Sequence, residues 1–216
     1  MRNRPILPAL LLLLAVCGCS SMYYGTMEKM GIHKRDILVD RVAEARDSQE
    51  QAKKQFQSAL EQFKSVVKIE GGDLEREYDR LSDTLKGSEE KARLVRERIR
   101  AVEDVSNALF REWRTEIGQY TSDSLRRSSQ TKYDATQDKY RDLIGAMKKA
   151  ESRLEPALAP LRDQVLFMKH NLNAKAIAGL RSEVEDIQVN VDQLVREMET
   201  AIDEADRFID SLQKQE

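Results

Sequence analysis

The chain has 216 residues with 36 basic and 38 acidic side chains; 34% of it is charged, 6% is aromatic, and it holds nine Gly and four Pro. That profile belongs to long, solvent-facing helices, and with both signs interleaved, as in "EEKARLVRERIR", no basic domain stands out for nucleic acid. Cys17 and Cys19 are the only thiols and both lie near the start, which excludes a disulfide framework or thiol catalysis in the body of the chain.

The first element is a leader. Arg2 and Arg4 form a positive n-region, and residues 6–16, "ILPALLLLLAV", form an apolar h-region. It is shorter than the about 20 apolar residues that a bilayer crossing needs, and Pro5 and Pro8 spoil it as a transmembrane helix. Val16, Cys17 and Gly18 ahead of Cys19 have the pattern of a bacterial lipobox, whereas Cys17 would have Val16 in the place that needs a small side chain. The expectation is a lipoprotein signal over 1–18, cleavage after Gly18, diacylglycerol on the Cys19 sulfur and an acyl chain on the new amine. Each buried methylene adds roughly 0.8 kcal/mol, so two or three chains make a durable anchor. Ser20 in place of Asp after Cys19 resembles the sorting pattern for the outer membrane; retention in the inner membrane, or a Gram-positive surface, is the alternative. Beyond this covalent lipid no cofactor is expected.

After a lipidated N-terminus and linker over 19–35, apolar residues recur in steps of four and three. Leu38, Val42, Ala45, Gln49, Ala52, Phe56, Ala59, Phe63 and Val66 make the first ladder, ended by the glycines of "EGGD" (70–73), whose Asp73 can cap the next helix. The second starts at Leu74 and Tyr78 and runs through Leu81, Leu85, Ser88, Ala92, Val95, Ile99, Val102, Ser106 and Leu109 to Trp113, which places Trp113 in the core. "GQYTSDSLRRSS" (118–129) is the polar break. Tyr133, Thr136, Tyr140, Leu143, Met147, Ala150 and Leu154 follow, and an extra step of four to Leu158 is a stutter at Pro156 and Pro160. It predicts a kink, with a full helix break as the alternative. The ladder resumes at Leu161, Val165, Met168 and Leu172. "HNLNAK" (170–175) reads as the next turn, and the last ladder is Ile177, Leu180, Val184, Ile187, Val191, Leu194, Met198, Ala201, Ala205, Phe208 and Leu212.

Spacing of this kind, sustained over several heptads, specifies helices with coiled-coil seams, and short turns favour antiparallel neighbours over a parallel oligomer. The fold class predicted is all-α: an elongated antiparallel up-down-up-down four-helix bundle over 36–214, with helices at about 36–69, 73–118, 124–171 and 175–213. Helices of about 35–50 residues reach roughly 50–75 Å. The "EGGD" and "HNLNAK" turns then share the far end, while "SLRRSS" returns to the anchored end. Helices two and three are the longer, so their tip overhangs toward the bilayer.

Two places are candidates for contact. At the near tip Arg126, Arg127 and Lys132 can meet lipid phosphates, with Tyr23 and Tyr24 at the interface; the competing reading is a solvated turn. At the far tip His170, Asn171 and Asn173, with Phe167, can meet a protein; the competing reading is an ordinary helix stop. No catalytic or metal residue is expected. His33 and His170 fall at opposite ends, neither follows a Glu by three residues as in di-iron bundles, and neither GxxxxGK[ST] nor GxSxG occurs. No nucleotide or nucleic-acid partner is expected.

The segments "GIHKRDILVDRV", "SALEQFKSVV", "SLRRSS", "DQVLFMKHNLNAKAI" and "EADRFI" go beyond what heptads require. Together they resemble a bacterial domain-of-unknown-function family of envelope proteins, mostly from Gram-negative proteobacteria, over Met22 to about Leu212. The resemblance implies a signal-bearing helical protein and carries no catalytic residues over. The expected function is a non-enzymatic, lipid-anchored envelope scaffold presenting its far tip to a periplasmic partner. The alternatives are a phospholipid-contacting, membrane-organising module and an accessory subunit of a cell-wall or transport machine.

Overall fold

The computed structural model describes residues 33–68, 74–171 and 180–214, and these are helical but for the turns that join them. The helices are α1 (Lys34–Val66), α2 (Leu74–Ile117), α3 (Asp123–His170) and α4 (Glu183–Gln213), the last entered through a 3-10 turn, Leu180–Ser182. The leader with Gly18 and Cys19, Tyr23, Tyr24, the residues of "EGGD", Leu172, Asn173 and Ile177 lie outside the described residues.

Each helix packs along its neighbours in sequence and α1 also packs along α4, whereas the diagonal pairs do not run together. That is the square, up-down-up-down bundle that the ladders predict. Its core is a single seam: Leu38, Phe56 and Phe63 of α1, Ile99 of α2, Leu143, Met147 and Leu154 of α3, and Ile187 and Leu194 of α4 are all fully buried. Every position of the first ladder is buried, because α1 has partners on both sides for its whole length. Charged pairs tie the four contacting faces: Arg98 to Glu44 (2.8 Å), Lys148 to Glu103 (2.8 Å), Lys149 to Glu197 (3.0 Å) and Arg46 to Asp206 (2.7 Å). Exposed pairs of this type contribute at most about 1 kcal/mol each, so they select register more than they stabilise.

Two ladders depart from expectation. In α2 the seam is expected to continue through Leu109 and Trp113, yet both are half-buried, and Val105, Phe110 and Ile117 are buried instead. The reason is length. α2 and α3 have 44 and 48 residues against 33 and 31 in α1 and α4. At the near end Lys34 pairs with Glu112 (2.9 Å) and the Arg35 guanidinium donates to the Leu212 carbonyl, so α1 begins and α4 ends at that level. At the far end Arg181 Nε donates to the Val67 carbonyl (3.1 Å), which closes the ends of α1 and α4 together. The excess of α2 and α3 therefore projects at the near end as a two-helix hairpin. With nothing left to cover the four-helix face, α2 buries the residues turned toward α3, and Phe110, Ile117 and Tyr133 form a small separate core.

In α3 the helix runs unbroken through Pro156 and Pro160, so the alternative of a break is excluded. The buried stripe widens there to Ala157 and Leu158, then Leu161, Gln164 and Met168, with Val165 only half-buried. An inserted step of four unwinds the supercoil locally and lets two adjacent positions share the seam. Pro156 is exposed, as is Ser152, whose carbonyl loses its i+4 donor, so the freed acceptor faces solvent.

Two stability predictions follow from these positions. A proline inside a helix is about 3 kcal/mol worse than Ala, offset by about 1 kcal/mol from its effect on the unfolded chain. Pro156→Ala should therefore raise the thermal midpoint by roughly 4–8 °C at about 2–4 °C per kcal/mol. A lowered midpoint would mean that the helix needs the proline's bend. Gln49 is fully buried, and neither atom of its amide finds a hydrogen-bond partner among the described residues. An unsatisfied buried polar group costs about 1–3 kcal/mol, so Gln49→Met should raise the midpoint in a melt followed by circular dichroism. A loss of stability would show that the amide is satisfied in solution.

Candidate functional site

The projecting hairpin is where the regular bundle gives way to individual chemistry. α2 stops at Ile117, Gln119 N–H donates to the Glu116 carbonyl (2.9 Å), and Ser122 caps α3: its hydroxyl accepts from Leu125 N–H (3.4 Å). The break is thus 118–122, and "SLRRSS" forms the first turns of α3 and not the loop itself. Tyr120 and Leu125, 38% and 57% exposed, put two large apolar side chains at the tip.

Behind the tip the aromatic residues lock α2 to α3. The Tyr133 ring meets Phe110 and Trp113 edge to face, with centroids 5.6 and 5.7 Å apart. Trp113 Nε1 donates to Ser129 Oγ (2.9 Å), and Arg114 donates to the Tyr133 hydroxyl (2.8 Å). Such edge contacts are worth about 0.5–1.5 kcal/mol each beyond burial. Burial pushes the Tyr140 hydroxyl above its ordinary pKa, against a hydrogen bond with Ser106 that lowers it. Where α1 and α4 give out, Leu109, Trp113 and Leu212 line a cavity of about 240 Å³, with Arg35, Lys132 and Glu116 also in its wall. Trp113 is therefore a wall residue of this cavity and not a core residue of the bundle.

The three near-tip cations are not gathered into one patch. Arg126 is paired with Asp123 one turn back. Arg127 is exposed and meets no carboxylate among the described residues, and Lys132 is turned to the cavity. At the far end His170 is exposed as the last residue of α3. Asn171 has a structural task, because its Nδ2 donates to the Phe167 carbonyl (2.9 Å) and its backbone N–H to the Met168 carbonyl (3.1 Å). Leu166 and Phe167 beside it are 59% and 42% exposed. Sequence reasoning missed Tyr120, Leu125 and the Trp113 cavity. The only signal available was the mismatch in helix lengths, which says that some seam positions must run out of partners.

Among the described residues no three His, Cys, Asp or Glu side chains converge as a metal site, and no helix is long and apolar enough to cross a membrane. His33 stands at the start of α1 and His170 at the end of α3, at opposite ends of the bundle. Comparison with known proteins gives one family: the model described as "Protein of unknown function (DUF2959)" matches residues 23–212. No curated protein and no solved structure matches the chain. The match covers the described helices but for the last residue of α4, and the chain belongs to the DUF2959 family.

Proposed function

We propose that this protein is a non-enzymatic, lipid-anchored scaffold of the bacterial cell envelope, cleaved after Gly18, acylated on Cys19 and held at the outer membrane of a Gram-negative proteobacterium facing the periplasm. The observation that carries the reading is polarity: α1 starts at the same end as the projecting hairpin, so the tether and the tip share one end of the rod. A tether of about fifteen residues from Cys19 keeps that end near the bilayer, while the 33 residues of α1 carry the other end roughly 50 Å away. The far end, with Leu166, Phe167 and His170 exposed, is then the surface offered to a periplasmic protein.

A second reading, a module that contacts phospholipid, is favoured by Tyr120 and Leu125 at the tip with Arg127 beside them, an arrangement suited to an interface between apolar chains and anionic headgroups. In an accessory subunit of a cell-wall or transport machine, the far end would serve as the docking face.

Site-specific photo-crosslinking in cells separates these. With probes in place of Asn173 and Arg127, the scaffold reading expects a discrete protein adduct at 173, and Cys19→Ala should release the chain from the membrane fraction. Adducts at 127 alone, and only with lipid, would move the assignment to the membrane-organising module. Retention of Cys19→Ala in the membrane with an unchanged pattern would overturn the anchor.

A further inference from the structure

The hairpin bears a second recess, separate from the Trp113 cavity and lined by α2 and α3 alone. Asn107, Arg111 and Arg114 are spaced i, i+4, i+7 and so form one stripe along α2, with Gln137 and Tyr140 across from them on α3. The floor is aromatic: Phe110 is 7% exposed and Tyr140 is half-buried. The recess measures about 440 Å³, within the usual span of small-molecule sites and more than a bare ion fills.

Its lining is basic. Many arginines of this surface meet carboxylates, such as Arg46 with Asp206, Arg93 with Glu90 and Glu97, Arg98 with Glu44, and Arg162 with Glu89 and Glu155, whereas Arg100, Arg127 and Arg196 form no ion pair among the described residues but stand singly. No carboxylate lines this recess. Arg111 has no side-chain hydrogen bond or ion pair among the described residues, and Arg114 donates one bond, to the neutral hydroxyl of Tyr133. Two guanidiniums without a carboxylate partner among the described residues stand one turn apart, beside the Asn107 amide and the Gln137 amide, whose Nε2 also donates to the Tyr133 hydroxyl (3.3 Å). The Trp113 cavity differs in kind, since Glu112 and Glu116 line it together with Arg35 and Lys132.

We propose that this recess is a binding site for a phosphate ester, with Arg111 and Arg114 gripping the phosphate and Phe110 and Tyr140 carrying the organic group. A phosphate monoester has three terminal oxygens and a diester two, all of them acceptors only, so either gives both guanidiniums a charged hydrogen-bond partner. The ester is either a phospholipid headgroup or a small soluble phosphate. The inference rests on the hairpin alone and stands whether or not Cys19 is acylated.

The chain's single tryptophan supplies a reporter: Trp113 precedes Arg114 and packs on Tyr133, the residue that Arg114 holds. The full chain in neutral detergent micelles is titrated with inorganic phosphate, with glycerol 1-phosphate, and with micelles doped with phosphatidylglycerol or with phosphatidylcholine. Chloride at matched ionic strength is the control, and Trp113 fluorescence and calorimetry are read in parallel. Saturable binding is expected that Arg111→Gln weakens about tenfold or more, which corresponds to about 1.4 kcal/mol, and that Arg196→Gln, at an exposed position of α4 away from the hairpin, leaves unchanged. Arg111 is exposed, so the variant should keep its helicity and thermal midpoint. Saturation by glycerol 1-phosphate identifies a soluble ester, and saturation by phosphatidylglycerol micelles alone identifies a headgroup. Absence of a calorimetric signal with every probe, an unchanged curve in Arg111→Gln, or the same curve with chloride would overturn the proposal.

Discussion

The structure depends on one constraint: each helix has a single apolar stripe, and all four stripes must be covered at every level or the chain must find another way to cover them. Over the body this is solved by the common seam that holds Phe56, Ile99, Leu154 and Leu194 away from water. Burying such side chains is worth about 1.5–3 kcal/mol each, far more than any surface ion pair around them. Where α1 and α4 stop, the same constraint changes the answer. α2 and α3 turn their buried faces toward one another, Phe110, Ile117 and Tyr133 make a two-helix core, and Leu109 and Trp113 are left half-covered over a cavity. The features that distinguish the near end descend from the unequal lengths of the helices.

Polar groups in the core obey a related rule. The hydroxyls of Ser88, Ser106 and Thr136 are buried at seam positions and donate to carbonyls of their own helices, at 2.9, 2.9 and 2.8 Å, so none is left unsatisfied. Gln49 departs from this pattern, and its amide marks a place where the seam is specified at some loss of stability. Buried polar positions of that kind are a known means of fixing register in coiled coils. The charged pairs across each contacting face act in the same direction. Packing holds the bundle together, and polar groups decide which residues stand opposite which.

Most of the architecture was legible because a 4-3 repeat leaves little freedom: the ladders of α1 and α4 name their buried positions almost residue for residue. What escaped was everything that depends on where a neighbour ends. Trp113 is in step with its ladder, and nothing local to "ALFREW" says that α4 stops at its level. Likewise "SLRRSS" has the composition of a loop, yet Ser122 caps a helix just ahead of it, so the turn is only 118–122. The prolines in α3 read as a kink, with a break as the alternative, because their cost is local, while the packing that carries the helix through them comes from the other three helices. The contact residues were less legible still, since exposure of Tyr120 and Leu125, or the missing carboxylate beside Arg111, is a property of the assembled surface.

The claim on which the account turns is that α2 and α3 leave the four-helix body as a thinly supported pair. Hydrogen exchange followed by mass spectrometry on the full chain tests it most directly, comparing amides of 110–117 and 123–133 with those of 92–102 and 143–154. Two-helix segments with few buried contacts open locally at lower free energy than a four-helix core, so the hairpin peptides should exchange well ahead of the body while the body stays protected. Equal protection of the two sets would contradict the account, because it would mean that the hairpin is covered as fully as the bundle from which it projects.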